Sequence, residues 1–69
     1  MANGITLKAA RVNVNLTQKQ AAKRLGIAES TLSLYERGEL YPTIKTIQKM
    51  EELYGLSYND INFCPNNTV

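Results

Sequence analysis

Side chains able to do chemistry are scarce in this sequence, and their types point to recognition rather than catalysis. There is no histidine, and Cys64 has no second thiol to pair with, so a metal site or an internal disulfide lacks its ligands. Isolated Ser and Glu on a helix surface do not make a nucleophile with its base, and no glycine-rich phosphate loop occurs. An enzyme is therefore the least favoured class, and neither metal nor cofactor is expected. What remains is charge. Lys8, Arg11, Lys19, Lys23, Arg24 and Arg37 fall before residue 38, opposed there only by Glu29 and Glu36. Beyond it, Lys45 and Lys49 meet Glu39, Glu51, Glu52 and Asp60, the balance of an ordinary solvated surface. The net charge is only +2, so placement carries the argument: a nucleic-acid binder concentrates its cations, and the first half is the electropositive one.

The elements that would position these groups must come from one small core. Sixty-nine residues make one domain, and at this size only about 60% of the unfolded chain's surface can be buried. Unpaired cysteine usage fits a reducing, cytoplasmic setting. Residues 1–13 contain no uninterrupted apolar run like that of a signal peptide, and no window approaches the roughly 18 apolar residues of a membrane span. Residues 1–4 read as a flexible arm, 5–63 as the domain and 64–69, polar and Asn-rich after Pro65, as a disordered tail.

Helical periodicity organises the domain, and no strand pattern competes with it. Leu7, Ala10, Arg11 and Val14 recur at helical spacing, and Asn15 offers the left-handed conformation that stops a first helix near Asn13. Arg11 on that stripe reads as a rim residue unless a partner appears. Thr17 and Gln20 form a capping box for the second helix, Leu16 and Ala21 a hydrophobic staple, and Ala21, Ala22 and Leu25 its buried stripe. Gly26 ends it. A third helix over 29–37 divides on the wheel: Ala28, Thr31, Leu32, Tyr35 and Glu36 face one way, Glu29, Ser30, Ser33, Leu34 and Arg37 the other. It starts at Ala28 without a side-chain cap. Thr43 caps a fourth helix with Ile44, Ile47, Met50, Leu53 and Tyr54 as its stripe and Gly55 as its end. Ser57 and Asp60 open a short fifth helix over 58–62. Two short helices joined by a tight turn, the second with a polar outer face, make residues 17–38 a candidate DNA-binding unit.

Residues 16–38 closely resemble the helix-turn-helix family of phage repressors and Cro-like regulators (XRE-type). The matches are Leu16-Thr17-Gln18 at the start of the first motif helix, Ala22 at the close-packing position, Gly26 in the turn, Leu32 as core anchor and Tyr35-Glu36-Arg37-Gly38 at the end. The likeness extends from Leu7 through Pro42-Thr43 to Leu56-Ser57 and Ile61. It implies an all-α, compact five-helix bundle of lambda-repressor-like fold, with the third helix in the major groove and the second crossing the backbone. It also implies an ion pair between Arg11 and Glu36, a structural rather than a functional feature.

On this resemblance the chain is a sequence-specific, double-stranded DNA-binding transcriptional regulator of repressor or Cro-like type, from a phage or prophage. Base contacts would fall to Glu29, Ser30, Ser33 and Leu34, with Thr31 either at the groove edge or packed. Phosphate contacts would come from Gln18, Lys19, Lys45 and Arg37, while Lys23, Arg24 and Lys49 read as solvated surface. The sequence departs from the family where Glu29, Leu34 and the loop Glu39-Leu40-Tyr41 stand in place of basic or amide residues, which implies weak monomer binding and a homodimer on DNA. Tyr54, Tyr58, Ile61 and Phe63 gather apolar area that is either the dimer surface or the lid of the core. The rival reading is a protein-interaction module, an antirepressor or adaptor, whose contact would use Glu29, Leu34, Leu40 and Tyr41.

Overall fold

Three of the four helices begin on a threonine, and in each the reason is the same. A Thr side chain in extended conformation accepts a backbone N–H of the first turn that has no intrahelical partner. In the computed structural model, which describes residues 4–63, Thr6 accepts from Ala9 N at 3.1 Å, Thr17 from Gln20 N at 3.1 Å and Thr43 from Thr46 N at 3.3 Å. These start α1 (Leu7–Asn13), α2 (Gln18–Leu25) and α4 (Ile44–Tyr54). The Gln20 side chain returns the bond by accepting from Thr17 N at 2.9 Å, completing the capping box. Helix α3 (Glu29–Glu36) starts at Ala28, which has no such group. Asn15, with φ 60°, turns the chain after α1, and Gly26, with φ 74°, closes α2 in the left-handed region that glycine enters without a steric penalty.

The helices share one core. Leu7, Leu25, Leu32 and Met50, one from each helix, are the largest fully buried side chains. Ala21 and Ala22 put only methyl groups between α2 and its neighbours, which permits the close approach of α3 and α4. On α4 the buried side is Ile47, Met50 and Tyr54, all within about 60° of one another around the helix. Ile44 differs from the sequence expectation. It is 73% exposed, because it stands in the first turn at the edge of that stripe. Ala28 is likewise exposed, since a residue before the first turn projects beyond the packed face.

The expected five-helix bundle requires correction. The chain after Gly55 forms one 3-10 turn, Tyr58–Asp60, and then a strand, β2 (Ile61–Asn62). That strand pairs in parallel with β1 (Ile5–Thr6), with Ile5 opposite Ile61 and Thr6 opposite Asn62. Two local causes displace the helical reading. At the start, Thr6 as cap requires extended backbone, so the first helix begins at Leu7 and not earlier. At the end, the Asp60 carboxylate accepts from Ser57 N at 3.3 Å and from Ser57 Oγ at 3.0 Å, holding a single turn that leads into extended Ile61. Gly4, with φ 79°, fits beside this pair because a Cβ there would collide with the Asp60 carbonyl. The arm and tail expected at the two ends lie outside the described residues, apart from Gly4.

Candidate nucleic-acid interface

Helix α3 is held by its inner face and presents the other. Leu32, Tyr35 and Glu36 are buried, Glu29 and Ser30 are exposed, and Thr31, Ser33 and Leu34 are half-buried. The polar groups Glu29, Ser30 and Ser33 and the apolar Leu34 thus share the side that faces away from the core. Arg37 follows immediately. It is exposed, and its Nη1 lies 3.6 Å from Glu39 Oε2. Lys19 is exposed on the first turn of α2, as is Lys45 on that of α4. No described residues form a cluster of metal-ligating side chains.

A buried charge network sets how α1, α2 and α3 meet. Arg11 Nε donates to Glu36 Oε2 at 2.7 Å and Arg11 Nη2 to Glu36 Oε1 at 3.2 Å, a two-pronged contact across 25 positions of sequence. Arg11 Nη1 donates to the Leu16 carbonyl at 2.9 Å and so fixes the turn between α1 and α2. Both side chains are nearly excluded from solvent, at 10% and 4% exposure. In that setting an unpaired charge would be costly, and the fork of bonds is what makes burial tolerable. Glu36 Oε1 also accepts from Gln18 Nε2 at 3.1 Å. Gln18 is therefore not a free surface side chain: its amide turns inward from the N-terminus of α2 to the end of α3.

Tyr54 packs close to this network. Its hydroxyl is buried without a hydrogen-bond partner, and burial, with the Glu36 carboxylate adding to it and Arg11 partly offsetting it, pushes its pKa up to about 12. Tyr54, Ile61 and Phe63 are 5%, 6% and 6% exposed. These three of the four apolar residues read as a dimer surface are lid and core, because Ile61 sits in β2 and Phe63 carries the rings of Tyr41 and Tyr58, each centroid 5.4 Å away. Tyr58 alone of the four is open, at 47%. With the exposed Tyr41 and Ile44 it lines one largely apolar cleft, the Tyr41 and Tyr58 hydroxyls meeting at 2.7 Å, and Leu40, next to Tyr41 in the chain, is exposed as well. From the sequence, Leu40 and Tyr41 belonged to one candidate surface, Tyr58 to another and Ile44 to the core; segment 38–44 also lacks any lysine or arginine.

Of the four remaining cations, Lys8 is on the first turn of α1 and three lie together elsewhere. Lys23 and Arg24 belong to the last turn of α2, and Lys49 Nζ would be 3.8 Å from a Cβ on Gly26. All three gather at the C-terminus of α2, where the helix dipole favours positive charge.

Fold and site together define a helix-turn-helix domain, with α2 and α3 as its two helices and Gly26 in the turn between them. The helix-turn-helix family profile matches residues 7–61, and the chain belongs to that family. It is 42% identical over 57 residues to the HTH-type transcriptional regulator ImmR of Bacillus subtilis, covering 83% of this chain and 45% of that protein. An uncharacterised HTH-type transcriptional regulator of Methanocaldococcus jannaschii is 36% identical over 55 residues, 80% of this chain and 83% of that one. The cryptic phage CTXphi transcriptional repressor RstR of Vibrio cholerae is 33% identical over 46 residues, 67% and 41% of the two lengths. The chain thus spans less than half of the Bacillus and Vibrio proteins. No solved structure matches it significantly. Among the described residues no helix is long and apolar enough to cross a membrane.

Proposed function

We propose that this chain is a cytoplasmic, sequence-specific DNA-binding transcriptional regulator, acting as a phage or prophage repressor or Cro-like protein through residues 5–63. The observation that carries the reading is the outward face of α3, free of core contacts at Glu29 and Ser30 on a helix whose other side is locked by Leu32, Tyr35 and Glu36. A helix so held can enter a major groove as a rigid body. Ser30 and Ser33 can donate to or accept from base edges, Glu29 can accept from a cytosine amino group, and Leu34 can meet a thymine methyl. Gln18, Lys19, Arg37 and Lys45 would reach phosphates, Gln18 with the help of the N–H groups and dipole at the start of α2. Two of the relatives are named as transcriptional regulators and one as a phage repressor, which supports the regulatory role.

Lys19, Lys45 and Arg37 are few cations for a DNA grip, and Glu39 beside Arg37 offsets part of its charge. With each neutralised phosphate adding about 0.9 to the salt slope, a monomer binds weakly and with shallow salt dependence. Affinity then comes from a homodimer on a two-fold operator. The patch Leu40, Tyr41, Ile44 and Tyr58 suits that contact better than the buried Tyr54, Ile61 and Phe63. It is apolar, its aromatic rings are held by Phe63, and the Glu51 carboxylate beside it accepts from Tyr58 N at 2.7 Å, which satisfies one oxygen and leaves its charge in place. Leu40 and Tyr41 of that patch, together with Glu29 and Leu34, are what a protein-interaction module would use, and the two readings diverge under charge reversal.

Selection of bound sites from random duplex DNA at low salt tests the proposal. A two-fold site should emerge with half-sites about one helical turn apart, and Lys19→Glu with Lys45→Glu should abolish its binding. No enriched site, or capture of a protein partner unaffected by that double reversal, overturns DNA binding in favour of the interaction module. Tight binding of a lone monomer overturns the dimer.

A further inference from the structure

We infer that Glu36 is a positioning residue for the DNA contact, fixing the Gln18 amide at the start of α2 so that the buried Arg11–Glu36 pair presets the geometry of a surface group. The inference rests on the proposed phosphate contact of Gln18. Its starting point is that Gln18 has no local reason to be ordered. The first turn of α2 is already capped by Thr17 and Gln20, whose reciprocal bonds are 3.1 and 2.9 Å. Nor does the carboxylate need Gln18 for charge balance, since Arg11 engages both of its oxygens. A glutamine at such a position would ordinarily sample many rotamers, and ordering it costs entropy. Here it is half-buried and bonded at 3.1 Å to a carboxylate on a helix eighteen residues away.

The chemistry of the pair fixes the direction of the amide. A carboxylate only accepts, so Gln18 must turn its nitrogen, not its oxygen, toward Glu36. The NH2 group has a second N–H that this bond does not use, and that N–H is the one assigned to an anionic oxygen. A contact group held in its bound orientation before binding does not lose that freedom on binding, which raises affinity without a new contact. Glu36 in turn is immobile because Arg11 grips it and Leu16 holds Arg11. The chain of restraint runs from α1 through the core to the outer start of α2.

A double-mutant cycle on the selected duplex tests this, with Gln18→Met, Glu36→Gln and the two combined, each measured by fluorescence anisotropy at a temperature where circular dichroism shows it folded. Gln18→Met should lose about tenfold in affinity per half-site, the weight of one charge-assisted hydrogen bond. Glu36→Gln should lose a similar factor, and the combination no more than Gln18→Met alone. Losses that simply multiply, or no loss in Gln18→Met, overturn the positioning role and leave DNA binding intact. Because Glu36→Gln can fail to fold, nitrogen-15 relaxation of the Gln18 side-chain amide in DNA-free wild type supplies an independent readout. Its order parameter should lie well above that of the exposed Gln48, which should fall below about 0.6. A mobile Gln18 amide overturns the inference even if the chain binds DNA. A rigid amide in a chain that binds no duplex overturns the proposed function and leaves Glu36 as an internal brace only.

Discussion

Replacing Glu36 with Gln is the sharpest test of how this domain holds together. The substitution keeps size and shape but leaves the Arg11 guanidinium, 8% exposed as a residue, facing a neutral amide. Bonds of 2.7 and 3.2 Å to a charged acceptor are weakened together. Stranding one charge of a buried pair costs about 3 to 5 kcal/mol, against under about 1 kcal/mol for a pair in solvent. At about 0.05 to 0.15 kcal/mol per residue, a chain this long has a total stability of roughly 3 to 10 kcal/mol. The variant should therefore lose about a third or more of that stability, and all of it where the total lies at the lower end of the range. Urea titration followed by far-ultraviolet circular dichroism measures the loss, with an unchanged slope marking an effect on stability alone. Arg11→Met with Glu36→Leu should recover much of the loss, because no charge is then stranded in the core. A loss under about 1 kcal/mol in Glu36→Gln refutes the reasoning, since the pair would then behave as though solvated.

Two further substitutions check local features. Tyr54→Phe removes a buried hydroxyl that has no partner, and should raise stability by about 1 kcal/mol or more. Because the folded-state pKa of Tyr54 is raised to about 12 from 10.0, its contribution is complete below pH 10 and is lost as pH rises through 12. The alkaline limb of the wild-type stability profile should consequently be steeper than that of Tyr54→Phe, and identical limbs would count against the burial. Ala28→Ser should stabilise by about 0.5 to 2 kcal/mol by supplying the cap that α3 lacks, read as a raised melting temperature. An unchanged or lower melting temperature would mean that the helix does not start at Glu29.

Much of the helical frame was legible because its signals are local. Thr17 with Gln20, Thr43, Asn15, Gly26 and Gly55 each act within one turn of the chain, and the stripe Ala21, Ala22, Leu25 repeats at the period of the helix itself. Thr6 was equally readable, and taking it as a cap would have moved the start of α1 to Leu7. The fifth helix failed for a different reason. A strand of two residues has no periodicity to detect, and Ile61 is extended because Ile5 lies beside it, a partner fifty-six positions earlier. Ile44 was assigned to the core by spacing alone, although a first-turn residue at the edge of a stripe can pass over the rim of the bundle.

Amino-acid order alone determined the helix-turn-helix: where its helices begin, which faces are apolar, and that α3 keeps a polar side outward. Those are properties of adjacent residues and of a fixed helical period. Only the tertiary structure decided which apolar groups were left over once the core was filled. It buried Tyr54, Ile61 and Phe63, exposed Tyr58 and Ile44, and turned the Gln18 amide toward Glu36. Each of these outcomes depends on distant segments competing for the same space and the same lone pairs, and that competition exists only after α1, α2, α3 and α4 have met.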